Sequence, residues 1–253
     1  MVAPASFDDL DLRRDERGLL IGGTQMGKST LAEYLGSAYC TRYSAKRLIL
    51  DSKPRYRAQW KFDGLPAKRL YKRYRPDPAG FVPGSVLVTP ELPEEPHRLL
   101  AQAFTRTNTV IASIHSKVNI PWLTALAHAF HDGASHRKPR ILQVDETMDF
   151  FTAQGQPIGG DAIEVSARAG SEVGEAALYC SQRTKRLSTS LLAEMSKLYC
   201  FSLDNVGDAD RLTEFGVPEF MPPLDKHHFR YWTKLDKRHI YGPYYLDLAQ
   251  LGR

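Results

Sequence analysis

Gly22-Gly23-Thr24-Gln25-Met26-Gly27-Lys28-Ser29 stands between the apolar triplet Leu19-Leu20-Ile21 and a stretch whose apolar residues fall at helical spacing. The run fits the pattern G-x-x-x-x-G-K-[ST], and a strand before it with a helix after it is the setting that pattern requires. Glycines let a backbone curl until successive N–H groups point inward at one anion. The helix that follows adds the positive end of its dipole. A phosphate cradle is therefore expected over Gly22, Gly23, Thr24, Gln25, Met26, Gly27, Lys28, Ser29 and Thr30. In that reading Lys28 reaches the β- and γ-phosphates of ATP, the Ser29 hydroxyl is a ligand for Mg²⁺, and Thr30 donates toward the α-phosphate. The bland alternative is a glycine turn with an exposed lysine.

Working outward, short apolar runs alternate with helical stretches, the pattern of a largely parallel sheet covered on both faces. Strands are expected at 19–21, 47–51, 85–89, 109–114, 140–145, 176–181 and 197–203. Helices are expected at 29–37 (Leu31, Tyr34 and Leu35 on one stripe), 98–104, 121–131 with proline in its first turn, 161–169, around 191–195, and 208–215. Residues 229–232 and 239–241, around LDKR, read as a hairpin within a C-terminal tail at 219–253. Residues 52–84 and 151–160 read as insertions. No repeat, low-complexity tract or linker divides the chain, so 1–253 reads as a single α/β domain of the P-loop NTPase class with a central, mainly parallel sheet.

The second half of such a site needs a carboxylate at the C-terminal end of a strand, near the metal. Ile141-Leu142-Gln143-Val144-Asp145-Glu146 supplies it. Asp145 would hold Mg²⁺ through a water, and Glu146, one residue past the strand, would polarise the water that attacks the γ-phosphate. The alternative is that this acidic pair merely caps the next helix. The apolar run 176–181 ends in Gln182 and Arg183. An amide there can hydrogen-bond the γ-phosphate or its attacking water, although Gln182 could equally be a surface residue.

The composition sets bounds. A chain of 253 residues with 42% hydrophobic and 25% charged residues has core enough to fold without staples. Cys40, Cys180 and Cys200 are odd in number and far apart, which suits reduced thiols in a cytoplasmic protein rather than a disulfide framework or a zinc site. No run approaches 18 apolar residues, so no membrane span is expected, and the first fifteen residues resemble neither a signal nor a transit peptide. The histidines form no H-x-x-x-H set, so no catalytic metal beyond nucleotide-bound Mg²⁺ is expected. Net charge is 34 − 29 = +5. Between Ser52 and Pro78 nine basic residues meet two acids, with Tyr56, Trp60, Phe62, Tyr71 and Tyr74 interleaved. That segment is either a solvated excursion or a surface that tracks a phosphate backbone. The aromatics Tyr231, Trp232, Tyr241, Tyr244 and Tyr245 read as hairpin packing.

Taken in order, these features resemble the FtsK–HerA superfamily of DNA-pumping ATPases. Its members pair a P-loop and a strand ending in DE with a later apolar strand ending in TQR or SQR, here LYCSQRTKRL at 178–187. LILDSK at 48–53 and KLYCFSLDNVGDADRLTEFG at 197–216 also fit. The resemblance spans 19–216, with only the P-loop specific by itself. It implies a RecA/FtsK-like fold, ATP and Mg²⁺ as cofactors, double-stranded DNA as partner, and a homo-oligomeric ring, usually a hexamer, with nucleotides between subunits. It also implies an arginine entering the neighbour's site. Members often carry Gly-Arg shortly before the Gln-bearing strand, whereas Gly170-Ser171 stands here. Arg168 is the first candidate for that arginine and Arg183 the second, with Arg168 as a plain surface residue left open.

Without the family's larger attachments (membrane anchor, β-barrel domain, nuclease domain), the chain is most like the genome-packaging ATPases of membrane-containing icosahedral viruses. That implies a capsid portal or vertex protein as partner, and the host cytoplasm or a virion vertex as location. A cellular or plasmid DNA pump of the same superfamily is the first alternative. A nucleotide switch and a small-molecule kinase are the others, and stimulation of turnover by DNA separates a motor from both.

Overall fold

The structure, a computed structural model, describes residues 10–53, 57–62, 81–92, 94–114, 116–203, 205–218 and 224–246. In chain order its strands and α-helices are β1 (Arg17–Ile21), α1 (Lys28–Tyr43), β2 (Lys46–Asp51), β3 (Arg57–Lys61), β4 (Phe81–Val88), α2 (Pro96–Ala103), β5 (Thr109–Ser113), α3 (Ile120–Asp132), β6 (Arg140–Asp145), α4 (Ala162–Val173), β7 (Glu175–Ser181), α5 (Thr189–Ala193), β8 (Lys197–Cys200), α6 (Val206–Glu214), β9 (His228–Thr233) and β10 (Asp236–Tyr245). The strands form one ten-stranded sheet in the order β10-β9-β8-β1-β7-β6-β2-β5-β4-β3. Every pairing from β3 to β8 is parallel, and β9 and β10 continue the β8 edge as an antiparallel ribbon. The expected mainly parallel α/β sheet with a C-terminal hairpin is the fold observed.

The apolar runs are continuous rather than alternating because both faces of the parallel strands are buried. Leu19, Ile21, Leu48, Leu50, Leu142, Val144, Ala177 and Tyr179 face one cluster, which α2, α3 and α4 cover with Leu99, Leu123, Phe130 and Ile163. Leu20, Ile141, Leu178 and Cys180 face the other, against Leu31, Ala32, Leu35 and Tyr39 of α1 and the ribbon aromatics Phe229 and Tyr231. Tyr241 and Tyr244 pack against this second cluster, so those two aromatics serve the hairpin as expected, and Trp232 is buried in the first.

Several segments differ from the sequence reading. Helix α1 continues to Tyr43 rather than stopping near 37. Gly36 looks like a helix breaker, but a Cβ there would meet the Arg47 guanidinium at 2.6 Å, so the glycine makes room for a side chain instead. Strand β8 ends at Cys200 rather than 203, because the chain turns across the P-loop. Phe201 N–H donates to Ile21 O (2.8 Å) and Gly23 N–H to Ser202 O (3.0 Å). Part of the expected insertion at 52–84 belongs to the sheet, since β3 pairs parallel with β4. Its charged residues hide its strand character, which an edge position tolerates. The remainder of the basic run, 54–56 and 63–80, lies outside the described residues. The stretch at 151–160 is a closed turn, with a Phe151–Pro157 bridge and Ile158 N–H donating to Phe150 O at 2.8 Å.

Candidate active site

Parallel strands bring their C-terminal ends to one edge of a sheet, and loops there can converge. β7 lies between β1 and β6, with β2 on the far side of β6. Four successive exits therefore sit side by side: Gly22 after β1, Gln182 after β7, Asp145-Glu146 at β6, and Asp51-Ser52-Lys53 at β2. Asp51 and Asp145 are in register on neighbouring strands, and both are fully buried.

The loop after β1 has the backbone its glycines allow. Gly22 (φ 147°) and Gly27 (φ 106°) lie in the region that side chains rarely adopt, and a Cβ on Gly22 would come within 2.6 Å of Phe201 Cβ. Gly27 precedes α1 and offers no side-chain cap, so the first N–H groups of this sixteen-residue helix face the loop without a side-chain acceptor. The Lys28 ammonium is buried and donates to Gly22 O (2.7 Å) and Gly23 O (2.6 Å). Thr24 and Gln25 are exposed at the loop's crest, Met26 packs against the α1-side core, and Thr30 is half-buried in the first helical turn. The base of the C-terminal ribbon closes on this loop, a contact the sequence reading did not foresee. A Cβ on Gly27 would lie 2.9 Å from Leu246 and 3.3 Å from His227 Nδ1. Below the loop, burial pushes the Cys200 thiol up to about 12, which leaves it unreactive at neutral pH.

Hydrogen bonds join five of the expected residues in two neighbouring sets. Ser29 Oγ donates to Asp145 Oδ1 (3.2 Å). Thr24 Oγ1 donates to Gln182 Oε1 (3.2 Å), and Gln182 Nε2 donates to Glu146 Oε1 (2.6 Å). Gln182, half-buried, is thus bonded to both the P-loop and the acidic pair. The capping role for the acidic pair is set aside, because Glu146 precedes the 3₁₀ turn Thr147–Phe150 without any side-chain cap bond. Glu146 instead takes a left-handed backbone (φ 53°, ψ 54°), which costs a non-glycine residue roughly 1 kcal/mol or more. Asp149 N–H donating to Glu146 O (2.8 Å) and the Thr147 hydroxyl donating to Val144 O (3.3 Å) hold the turn that imposes it.

Around this cluster lie Asp149, Lys117 and Asp208, to which the sequence reading assigned no site role, with partners from segments it had noted. Asp149, buried, accepts from Ser52 Oγ (3.0 Å) and Lys117 Nζ (2.6 Å). Lys53 Nζ stands 3.4 Å from Glu146 Oε2 and 3.9 Å from Asp149 Oδ2. On the other flank, buried Asp208 accepts from Thr184 N (2.9 Å), Thr184 Oγ1 (2.8 Å), Lys185 N (3.3 Å) and Arg183 Nη1 (3.4 Å). Arg211, one helical turn further along α6, donates to Leu187 O at 2.7 Å. The loop that begins at Gln182 is thus hung on α6. The one sequence signal was the polar helix start Asn205-Val206-Gly207-Asp208, whose Asn205 does cap α6.

The side chains of the two arginine candidates rest on other acids, although Arg183 follows Gln182 directly in the chain. Arg168 is more than half exposed on α4, 3.9 Å from Asp161, and Arg183 is half exposed beside Asp208. Among the described residues, no helix is long and apolar enough to cross a membrane.

The donor set fits the expected ligands. A serine hydroxyl bonded to a carboxylate, with a second carboxylate in register beside it, is the hard-oxygen chemistry that Mg²⁺ prefers. An uncapped helix N-terminus beside a buried ammonium suits phosphate.

No protein-family model and no curated protein matches the chain. Solved structures share its fold. The genome packaging NTPase B204 from Sulfolobus turreted icosahedral virus 2, in complex with AMPPCP, aligns at a TM-score of 0.64 and 15% identity, covering 92% of this chain and 99% of that one. B204, the DNA-packaging ATPase from Sulfolobus turreted icosahedral virus, gives 0.60 at 13% identity, with 92% and 100% covered. The cytoplasmic domain of the type VII secretion ATPase EccC from Thermomonospora curvata gives 0.51 at 13% identity, with 92% of this chain and 24% of that one covered. At these identities the likeness is one of fold, and the fold is that of P-loop ATPases.

Proposed function

We propose that this chain hydrolyses ATP and uses the energy to move double-stranded DNA, as a ring-shaped motor that packages a viral genome into a preformed capsid. The observation that carries the reading is the bonded series Thr24–Gln182–Glu146, set beside the Ser29–Asp145 bond. It joins the P-loop to the ends of β6 and β7, where phosphate, metal and attacking water must meet. The match over nearly the whole length of a viral packaging NTPase supports the viral setting. A cellular or plasmid pump would draw on the same residues.

In this reading the N–H groups of Gly23–Thr30 and the Lys28 ammonium bind the phosphates, and Lys28 exchanges its loop carbonyls for β- and γ-oxygens. Ser29, and Asp145 through a water, would hold Mg²⁺, which would supply charge neutralisation at the phosphates. Glu146 accepts a proton from the water whose oxygen bonds to the γ-phosphorus, while the bond from that phosphorus to the β–γ bridging oxygen breaks. ADP and inorganic phosphate leave, and the proton passes from Glu146 to solvent. Gln182, touching both Thr24 and Glu146, orients the water and reports its loss to the loop held by Asp208. Arg168, or failing it Arg183, enters the neighbouring subunit's site in a hexamer. Loops from Ser52–Pro78 or Phe151–Gly160 contact the DNA backbone without reading sequence, and the ring docks on a portal or vertex protein of the capsid.

The test is Mg²⁺-dependent ATP hydrolysis by the wild type and Lys28→Ala, with and without long double-stranded DNA. The reading expects DNA to raise the wild-type rate and the variant to lose turnover. Hydrolysis indifferent to DNA contradicts the motor and favours a switch or a kinase. Full activity in Lys28→Ala contradicts the site.

A further inference from the structure

The two oxygens of the Glu146 carboxylate meet groups of different kinds, one by a hydrogen bond and the other by an ion pair. Oε1 accepts from the Gln182 amide at 2.6 Å, while Oε2 faces the Lys53 ammonium at 3.4 Å. A water that is to lose a proton to Glu146 must displace the amide from Oε1 or reach the buried Oε2 past the Lys53 ammonium. Gln182 is a neutral group fixed at the end of β7. Lys53 is a flexible cation, 41% exposed, at the end of β2. It also stands 3.9 Å from Asp149, a carboxylate that is itself held at 2.6 Å by Lys117, whose side chain is 66% exposed. Two half-exposed ammonium groups therefore rest on two buried carboxylates at the rim of the site, and one of those carboxylates belongs to the proposed general base. Lys53 also stands at the head of the basic, aromatic-rich run in the sequence.

Resting on the ATPase reading above, we infer that Lys53 is a positioning residue which restrains Glu146 until a phosphodiester backbone draws its ammonium away. Phosphate oxygens on a polyanion compete for an exposed ammonium at the rim. Lys117 meets the same backbone, and its departure from Asp149 gives Lys53 a second carboxylate to move toward. Each step transfers an ammonium between anions and leaves an oxygen of Glu146 open to water. Nucleic acid thereby gates hydrolysis through two side chains, with no movement of the sheet.

The experiment measures kcat and KM for ATP with and without linear double-stranded DNA, for the wild type, Lys53→Met, Lys53→Arg and Lys117→Met. Loss of the restraint raises the DNA-free kcat of Lys53→Met by about fivefold or more, the lower end of site-to-site couplings. KM stays within about twofold, as expected when an effect falls on the chemical step rather than on binding, and the ratio of stimulated to basal rate shrinks. Lys53→Arg retains the wild-type basal rate and stimulation. Lys117→Met shows a smaller basal rise, because Asp149 then draws on Lys53 alone. A Lys53→Met variant that is no faster than wild type without DNA, yet stimulated as strongly, overturns the inference and leaves the motor reading intact. So does a variant slowed equally in both conditions while Lys53→Arg is slowed too, which marks a structural role. A wild type whose turnover is indifferent to DNA removes the proposed function, and the inference falls with it.

Discussion

Glu146 is the residue on which the proposed chemistry turns, and its isostere separates binding from turnover. Glutamine at this position still offers a carbonyl to Gln182 Nε2 but accepts no proton. Glu146→Gln is expected to bind ATP as the wild type does and to lose about 10²- to 10⁴-fold in kcat, read by titration calorimetry beside a phosphate-release assay. Weak binding with proportionate turnover would mark Glu146 as a structural group. Arg47 makes a second prediction at this scale. Its side chain is 1% exposed, donates to Glu33 Oε2 (2.9 Å), and reaches Gln143 from both Nε and Nη2, tying α1 to β6. Arg47→Met removes the guanidinium those two partners share and is expected to cost about 3 kcal/mol, the lower end for a broken buried pair because Glu33 keeps some contact with water. Urea unfolding checks it, and an unchanged midpoint contradicts it. The P-loop residues were legible because each works within a few positions of the next. Arg47, Asp149 and Lys117 were not, because their partners lie 96, 97 and 32 residues away and nothing in a local window marks them.

Among elements, the loop after β7 depends on α6. Asp208 gathers four donors from Arg183, Thr184 and Lys185, so Asp208→Ala strands backbone N–H groups that have no other shown acceptor. A stability loss of about 3 kcal/mol is expected, together with a lower kcat at unchanged nucleotide affinity, since Gln182 leads into that loop. A variant that loses affinity instead would place α6 in the binding surface.

Helix α3 and strand β7 meet through His131 and Glu175, at 3.6 Å. The Glu175 carboxylate beside it raises the His131 pKa above 6.5, burial opposes the rise, and the charge of Asp132 adds to it. A raised folded-state value means that the stabilisation is complete below about pH 6.5 and fades as pH climbs through the raised value. Stability should therefore fall as pH climbs above about 6.5, with a shallower slope in His131→Gln. A steeper slope in the variant contradicts the assignment. Element existence was legible from apolar runs, but ends were not. Gly36 in α1 and the charged β3 each obey a tertiary demand that propensity does not carry.

At the scale of the whole molecule, the alternation of strands and helices announced a parallel sheet, while the strand order that seats Gln182 between the P-loop and Glu146 emerged only on folding. The same holds for the C-terminal ribbon, legible as a hairpin but not as a neighbour of Gly27. A sheet whose active edge gathers four strand exits can pass a local event at one exit to the next, and that passage is what a motor needs. Displacement of a triplex-forming strand from linear double-stranded DNA reports movement along the duplex rather than hydrolysis alone. Displacement is expected to require ATP and Mg²⁺ and to be abolished in Glu146→Gln. ATP turnover stimulated by DNA, with no strand displaced under any condition, would contradict the motor.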